Sequence, residues 1–155
     1  MSETSTMDIK VWPVRPGGLQ PIESGISPAS PQRKKRFKDD PPPLFRIYLG
    51  VNEGAEQGEI QFAIIGRLTT WVDPSYVVST GCACPIEVEE GTTIDLSTDE
   101  SRRIALATYS QLVLEIVWDF CVHLASVASA GIGADVELPM HAPEPVLVFP
   151  KPQDE

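Results

Sequence analysis

Histidine is nearly missing from this chain: only His123 and His141 occur in 155 residues. Three cysteines, Cys82, Cys84 and Cys121, make an odd number and exclude a closed disulfide framework. A reducing compartment is the simpler expectation. No Gly-x-Ser-x-Gly elbow is present, so an α/β-hydrolase nucleophile is not indicated. No glycine-rich phosphate loop is present either: Gly131-x-Gly133 lacks a third glycine and follows a helix rather than a strand. No run of 18 or more apolar residues is free of charge, so no membrane-spanning helix is expected. Met1 to Asp8 is polar and lacks the charged-then-apolar order of a signal peptide. The expected location is therefore the cytoplasm, or the host cytoplasm or virion for a viral protein.

Basic residues are scarce. There are 12 against 22 acids, for a net charge of −10. Five of the 12 sit in one cluster, Arg33, Lys34, Lys35, Arg36 and Lys38, leaving seven for the rest of the chain. A surface so acidic repels nucleic acid and anionic lipid and attracts basic partners. Nucleic acid is expected only through Arg33 to Lys38, where Phe37 could stack on a base. The blander reading, which we prefer, is a solvated charge run on an arm.

What is present is one domain's worth of apolar material, 42% of the chain. Residues 1–43 hold 8 of the 15 prolines and read as a Pro-rich N-terminal arm. Ile9 to Val14 is its one strand-like stretch, and Pro13 would confine that strand to an edge. From Arg15 to Pro43 the arm has little to bury and is expected to be extended or disordered. Residues 44–149 read as an α+β core domain, and 150–155 as a polar tail.

In the core, Leu44–Val51 alternates like a strand, with Phe45, Ile47, Leu49 and Val51 on one face. Glu59–Val72 alternates likewise, with Gly66 marking a bulge or bend. Tyr76–Ser79 reads as a short strand. Cys84–Val88 and Thr92–Leu96 read as another, interrupted at Glu89-Glu90-Gly91. An antiparallel sheet of about four strands follows. A long helix is expected from about Asp99 to Ala128, opened by a capping box of Ser97 and Glu100 and closed near Gly131. Its polar stripe is narrow: Thr108, Gln111, Glu115, Asp119 and Ser126. A helix on one sheet face needs only about a 100° apolar stripe. This one has more, so a second cover is expected, and a partner subunit is the preferred one.

Few constellations suggest chemistry. Cys82-x-Cys84 on a strand would put both thiols on one face, a metal half-site. Cys121-x-His123 cannot complete it, because residues two apart on a helix diverge by about 200°. Buried inert thiols are the preferred reading, with no metal and no cofactor. Asp119 and His123, four apart, could form an acid–base pair but read more simply as a surface pair. No catalytic set emerges, and a binding protein rather than an enzyme is expected.

The order of parts carries a resemblance. Antiparallel strands lead to Cys84-Pro-Ile-Glu-Val-Glu-Glu-Gly91, then a long apolar helix, then a glycine-containing loop and Leu138-Pro-Met-His141. This resembles the SecB export-chaperone family, in which a Glu-Val-x-x-Gly strand end precedes the helical segment and a Leu-x-Pro-Val-Asn stretch follows. The family's Pro-Tyr-x-Arg helix motif is not reproduced, His141 stands where Asn is expected, and segment 28–43 has no counterpart. The resemblance implies a homo-oligomer, a dimer or a tetramer built as a dimer of dimers. It implies ATP-independent holding of unfolded polypeptide clients in apolar grooves, and an acidic sheet surface that docks a basic partner. Glu87, Glu89 and Glu90 would belong to that docking face. From pattern alone, Phe62, Ile64, Trp71 and Trp118 are groove candidates, although ordinary core is the preferred reading of each. The alternative is a structural or assembly protein, a virion or accessory subunit whose arm and apolar Val146–Phe149 run reach neighbours.

Overall fold

The computed structural model describes residues 14–39, 43–56, 58–73 and 76–149. Most of the expected strand at 9–14 and the tail at 150–155 lie outside them.

Three long strands form an antiparallel meander: β3 (Leu44–Val51), β4 (Phe62–Asp73) and β5 (Tyr76–Val88). Their registers place Ile47 opposite Gly66 and Gly66 opposite Cys82, so one row crosses the middle of the sheet. Alternation sends Phe45, Ile47, Phe62, Ile64, Leu68, Val78, Cys82, Cys84 and Ile86 to one face, where all are buried. The far edge of β3 takes a short parallel strand, β6 (Val146–Val148). The far edge of β5 takes β1 (Val14–Pro16) and β2 (Gln20–Pro28), end to end. Six strands thus fill five positions, in the order β1/β2–β5–β4–β3–β6.

The α+β class, its largely antiparallel sheet and its single long C-terminal helix are as expected, but several local readings are corrected. The segment from Arg15 to Pro43 is not merely extended chain. β2 pairs with β5 from Gln20↔Ala83 to Pro28↔Tyr76, and α1 (Pro31–Asp39) follows. Segment composition underweights such a strand, because what it gains is backbone hydrogen bonding to an open sheet edge. Its proline costs show in the register shift between Pro21 and Glu23. Pro31 occupies the first position of α1, where a missing N–H is harmless. β5 runs unbroken through Gly81, and Thr92–Leu96 is not a strand. A turn closed by Thr92 N–H on the Glu89 carbonyl, with Gly91 left-handed at φ 85°, steers the chain off the sheet. Ile94 and Leu96 nevertheless pack on the core.

Helix α2 spans Asp99–Ala130. The cap is Thr98 rather than Ser97. Its hydroxyl accepts the Ser101 N–H at 3.0 Å, and the Ser101 hydroxyl answers the Thr98 N–H at 3.0 Å. Asp99 and Glu100 sit in the first turn, where the helix dipole favours acids. At the other end, Ala134 N–H reaches the Ser129 carbonyl and Gly133 N–H the Ala130 carbonyl. Those two bonds are a Schellman stop, with Gly133 at φ 71°.

The buried seam of α2 runs Leu106, Ser110, Val113, Val117, Cys121, Ala125, Ser129. Almost every step is four residues, and each such step carries the seam about 40° further round the helix. The helix therefore crosses the sheet obliquely along an i±4 ridge. At Gly66 a Cβ would overlap the Val117 methyl and crowd the Phe45 ring. By length and composition alone α2 could cross a membrane, despite lacking a charge-free apolar run; its buried seam lies on the sheet.

Gly66→Ala should destabilise by about 3 kcal/mol, the upper end for forcing one methyl into a packed core, read from urea unfolding. Gly18→Ala, with open space around it, should stay within about 0.5 kcal/mol. Thr98→Ala should cost about 1 kcal/mol in the same assay through the lost cap.

Candidate functional site

The segment after α2 folds back along the helix. The Trp118 indole N–H donates to the Pro139 carbonyl at 3.1 Å. One turn earlier, both Glu115 carboxylate oxygens accept the Ala142 N–H, at 3.2 and 3.3 Å, with His141 Nδ1 at 3.8 Å. Near the helix start the Arg103 guanidinium lies 4.9 Å over the Phe149 ring. Val136, Leu138, Ala142, Leu147 and Phe149 pack onto the core along this path. Part of the second cover that the over-apolar helix demanded is therefore the chain's own C-terminal segment. Sequence alone hid it, because a Pro-rich stretch carries no periodicity.

A stripe of α2 is only partly covered. Leu112, Ile116, Phe120, His123 and Val127 follow at i, i+4, i+8, i+11 and i+15, on one side of the helix. Leu112 and Phe120 are half-buried, while Ile116 is 40% and Val127 59% exposed. Ile132, beyond the helix, and Met140, in the returning segment, are exposed too, Met140 by 84%. Glu115, Asp119, Asp135, Glu137 and Glu144 are the five acids between Ile104 and Pro150, an interval with no lysine or arginine. An apolar stripe on a helix that carries acids and no lysine or arginine beyond Ile104 can bind apolar side chains and reward flanking positive charge. Asp119 and His123 form no ion pair with each other; Glu115 is engaged with the 141–142 backbone and imidazole instead.

The groove candidates do not form one groove. Phe62, Ile64 and Trp118 are buried between sheet and helix, Trp118 edge-on to Phe45 at 5.0 Å and Phe62 against Tyr109 at 5.4 Å. Trp71 falls on the opposite sheet face by alternation and packs half-buried with Ala29, Leu44 and Val77. On that face Arg67 lies 5.6 Å over the Tyr48 ring and 3.8 Å from Glu23. Among the acidic candidates, Glu87 lies in β5 on this open face, and Glu89 and Glu90 are exposed in the following turn. Just beyond, Asp95 accepts both the N–H and the hydroxyl of Ser97, at 3.0 and 2.6 Å. The Ser97 hydroxyl, then its N–H, hold that carboxyl below the usual aspartate range.

The three thiols are all buried. Cys82 and Cys121 bring their sulfurs to 3.9 Å, a meeting that needs the helix register and so was not legible from spacing. The Cys82 thiol is pushed up by its hydrogen bond with Cys121 and then by burial, and burial pushes up Cys84. The Thr80 hydroxyl donates to the Cys121 carbonyl at 3.0 Å. Among the described residues no three His, Cys, Asp or Glu side chains converge to hold a metal.

No protein-family model matches this chain, and no curated protein matches it. One solved structure, that of a protein of unknown function from Streptococcus agalactiae, is similar with a TM-score of 0.42. It is 12% identical, over 81% of this chain and 96% of that one. A likeness of that size carries no argument about function.

The Asp95 resonance should titrate below the ordinary aspartate range of about 3.9 in an NMR pH series. A depressed folded pKa means its contribution is present above the unfolded value and lost as pH falls through the folded one. The turn before α2 should therefore loosen only in strong acid, and Ser97→Ala should return Asp95 towards the ordinary value.

Proposed function

We propose that this protein binds non-native polypeptide segments without nucleotide, as a SecB-like holdase would, working as an oligomer. One observation carries the reading: Ile116 and Val127 stand exposed on one side of α2, with half-buried Leu112 and Phe120 beside them, in an interval from Ile104 to Pro150 that holds five acids and no lysine or arginine. Unfolded chains offer apolar side chains next to lysine and arginine, which suit such a surface. The stripe replaces Phe62, Ile64 and Trp118 as the place of capture, since those side chains are occupied in the core. Glu89 and Glu90, together with Glu87, remain the proposed docking face for a basic partner.

The assembly reading draws on a different feature. β2 is an outer edge strand whose Gln20–Gly25 stretch is exposed, and an edge of that kind can add a strand from one fixed neighbour.

The test is light scattering from a chemically unfolded model protein, diluted into ATP-free buffer with and without this chain. Near-stoichiometric suppression is expected. Each buried aliphatic side chain contributes about 1.5–3 kcal/mol, so Ile116→Glu with Val127→Glu should weaken suppression by more than about tenfold. Unchanged scattering with the folded wild type rejects the holdase reading and leaves assembly through β2.

A further inference from the structure

The contact between Cys82 and Cys121 is neither a metal site nor part of the outer stripe. Cys82 faces α2 from the centre of β5, and Cys121 faces β5 from the buried seam of the helix. Their sulfurs are 3.9 Å apart and buried. The remaining sulfur contacts are weak and long: Cys82 to the Val117 carbonyl at 3.8 Å, and Cys121 to the Gly66 carbonyl at 3.7 Å. Forming an S–S bond would give up little hydrogen bonding and would need the sulfurs to close by about 2 Å. Side-chain rotation supplies motion of that order. Cys84 shares the sheet face but is directed elsewhere, its sulfur 3.9 Å from the Pro85 carbonyl.

We propose that Cys82 and Cys121 are a redox pair, closing to a disulfide that bolts the middle of α2 to the middle of the sheet. The two cysteines lie 39 residues apart, so the bond would close a loop that includes the β5–α2 connection and most of the helix. Cross-links across long loops restrict the unfolded chain most. The oxidant is a low-molecular-weight disulfide. One protein thiolate attacks it, its S–S bond breaks, one small thiolate leaves, and a mixed disulfide forms. The second protein thiolate then attacks the protein sulfur of that mixed disulfide and expels the other small thiolate. Two protein thiols are oxidised to one disulfide, and the small disulfide is reduced to two thiols, which carry away the two protons. Both thiols are fully buried, so attack waits for α2 to open locally from the sheet. The pair therefore responds slowly, at a rate set by opening, and once closed it holds the helix down.

The test incubates the full chain with oxidised glutathione in mild urea, which makes opening frequent, and removes the urea. Free thiols are then counted under denaturation, and the linked peptides are mapped by mass spectrometry. Of the three free thiols, two should be lost, leaving Cys84, with a Cys82–Cys121 peptide from a monomer on a non-reducing gel. The oxidised protein should melt at a higher temperature, and dithiothreitol should reverse the shift. Cys84→Ala should behave the same; Cys121→Ser should abolish closure. Three thiols surviving, a bond that uses Cys84, or an oxidised form that melts lower would each overturn the proposal. If Cys121→Ser does not fold, the Cys84→Ala protein decides the matter alone.

Discussion

The structure depends on how closely α2 lies on the sheet at Gly66. There the side chain is missing, and Val117 occupies the space a Cβ would need. That approach brings Cys121 beside Cys82 and lets the Thr80 hydroxyl reach the Cys121 carbonyl. Two residues further along the same strand face lie Ile64 on one side and Leu68 on the other, both fully buried. Close packing of this kind gains dispersion contacts over the whole seam, and it transmits any change in volume at the crossing point. A methyl, an opened thiol pair or a shifted helix would be felt along the full length of α2.

The rest of the chain arranges itself around that contact. The buried seam of the helix follows an oblique ridge across the sheet. One uncovered flank is taken by the returning segment, held at Trp118, Glu115 and Arg103. The other remains as the Leu112–Val127 stripe. An apolar surface is thus left in a stretch of the chain that carries no lysine or arginine, where like charges repel while apolar burial still attracts. The proposed capture of non-native chains and the proposed redox bolt act on the same helix from opposite faces.

Much of the fold is legible in the residues. Leu44–Val51 and Glu59–Val72 alternate with period two, and the strands observed, Leu44–Val51 and Phe62–Asp73, face the core as that alternation requires, the second starting three residues later than read. The helix from Asp99 is announced by its acidic first turn and its apolar content, and it stops beside Gly131 to Gly133. Gly66, read as a bend, is instead a landing place; a sequence marks the missing side chain but not what fills the gap. Of the candidate site residues, Glu89 and Glu90 are as exposed as their polarity suggests, whereas Phe62, Ile64 and Trp118 are core. Apolar side chains that bind and apolar side chains that stabilise have the same composition, so pattern cannot separate them.

By itself, then, the amino-acid order determined the local geometry: strand alternation, the helix and its limits, and the charge imbalance. These depend on neighbours within a few residues, whose preferences are written in adjacent side chains. Tertiary structure decided the rest. It placed β1 and β2 on the open edge of β5, laid the chain around Pro139 and Ala142 on α2, paired Val146–Val148 with β3, and chose which stripe of the helix would face water. It also joined Cys82 to Cys121 across 39 residues. Each of those outcomes rests on pairing between distant segments, where an unsatisfied edge or an uncovered flank selects its partner by fit, and no local run of residues encodes that fit.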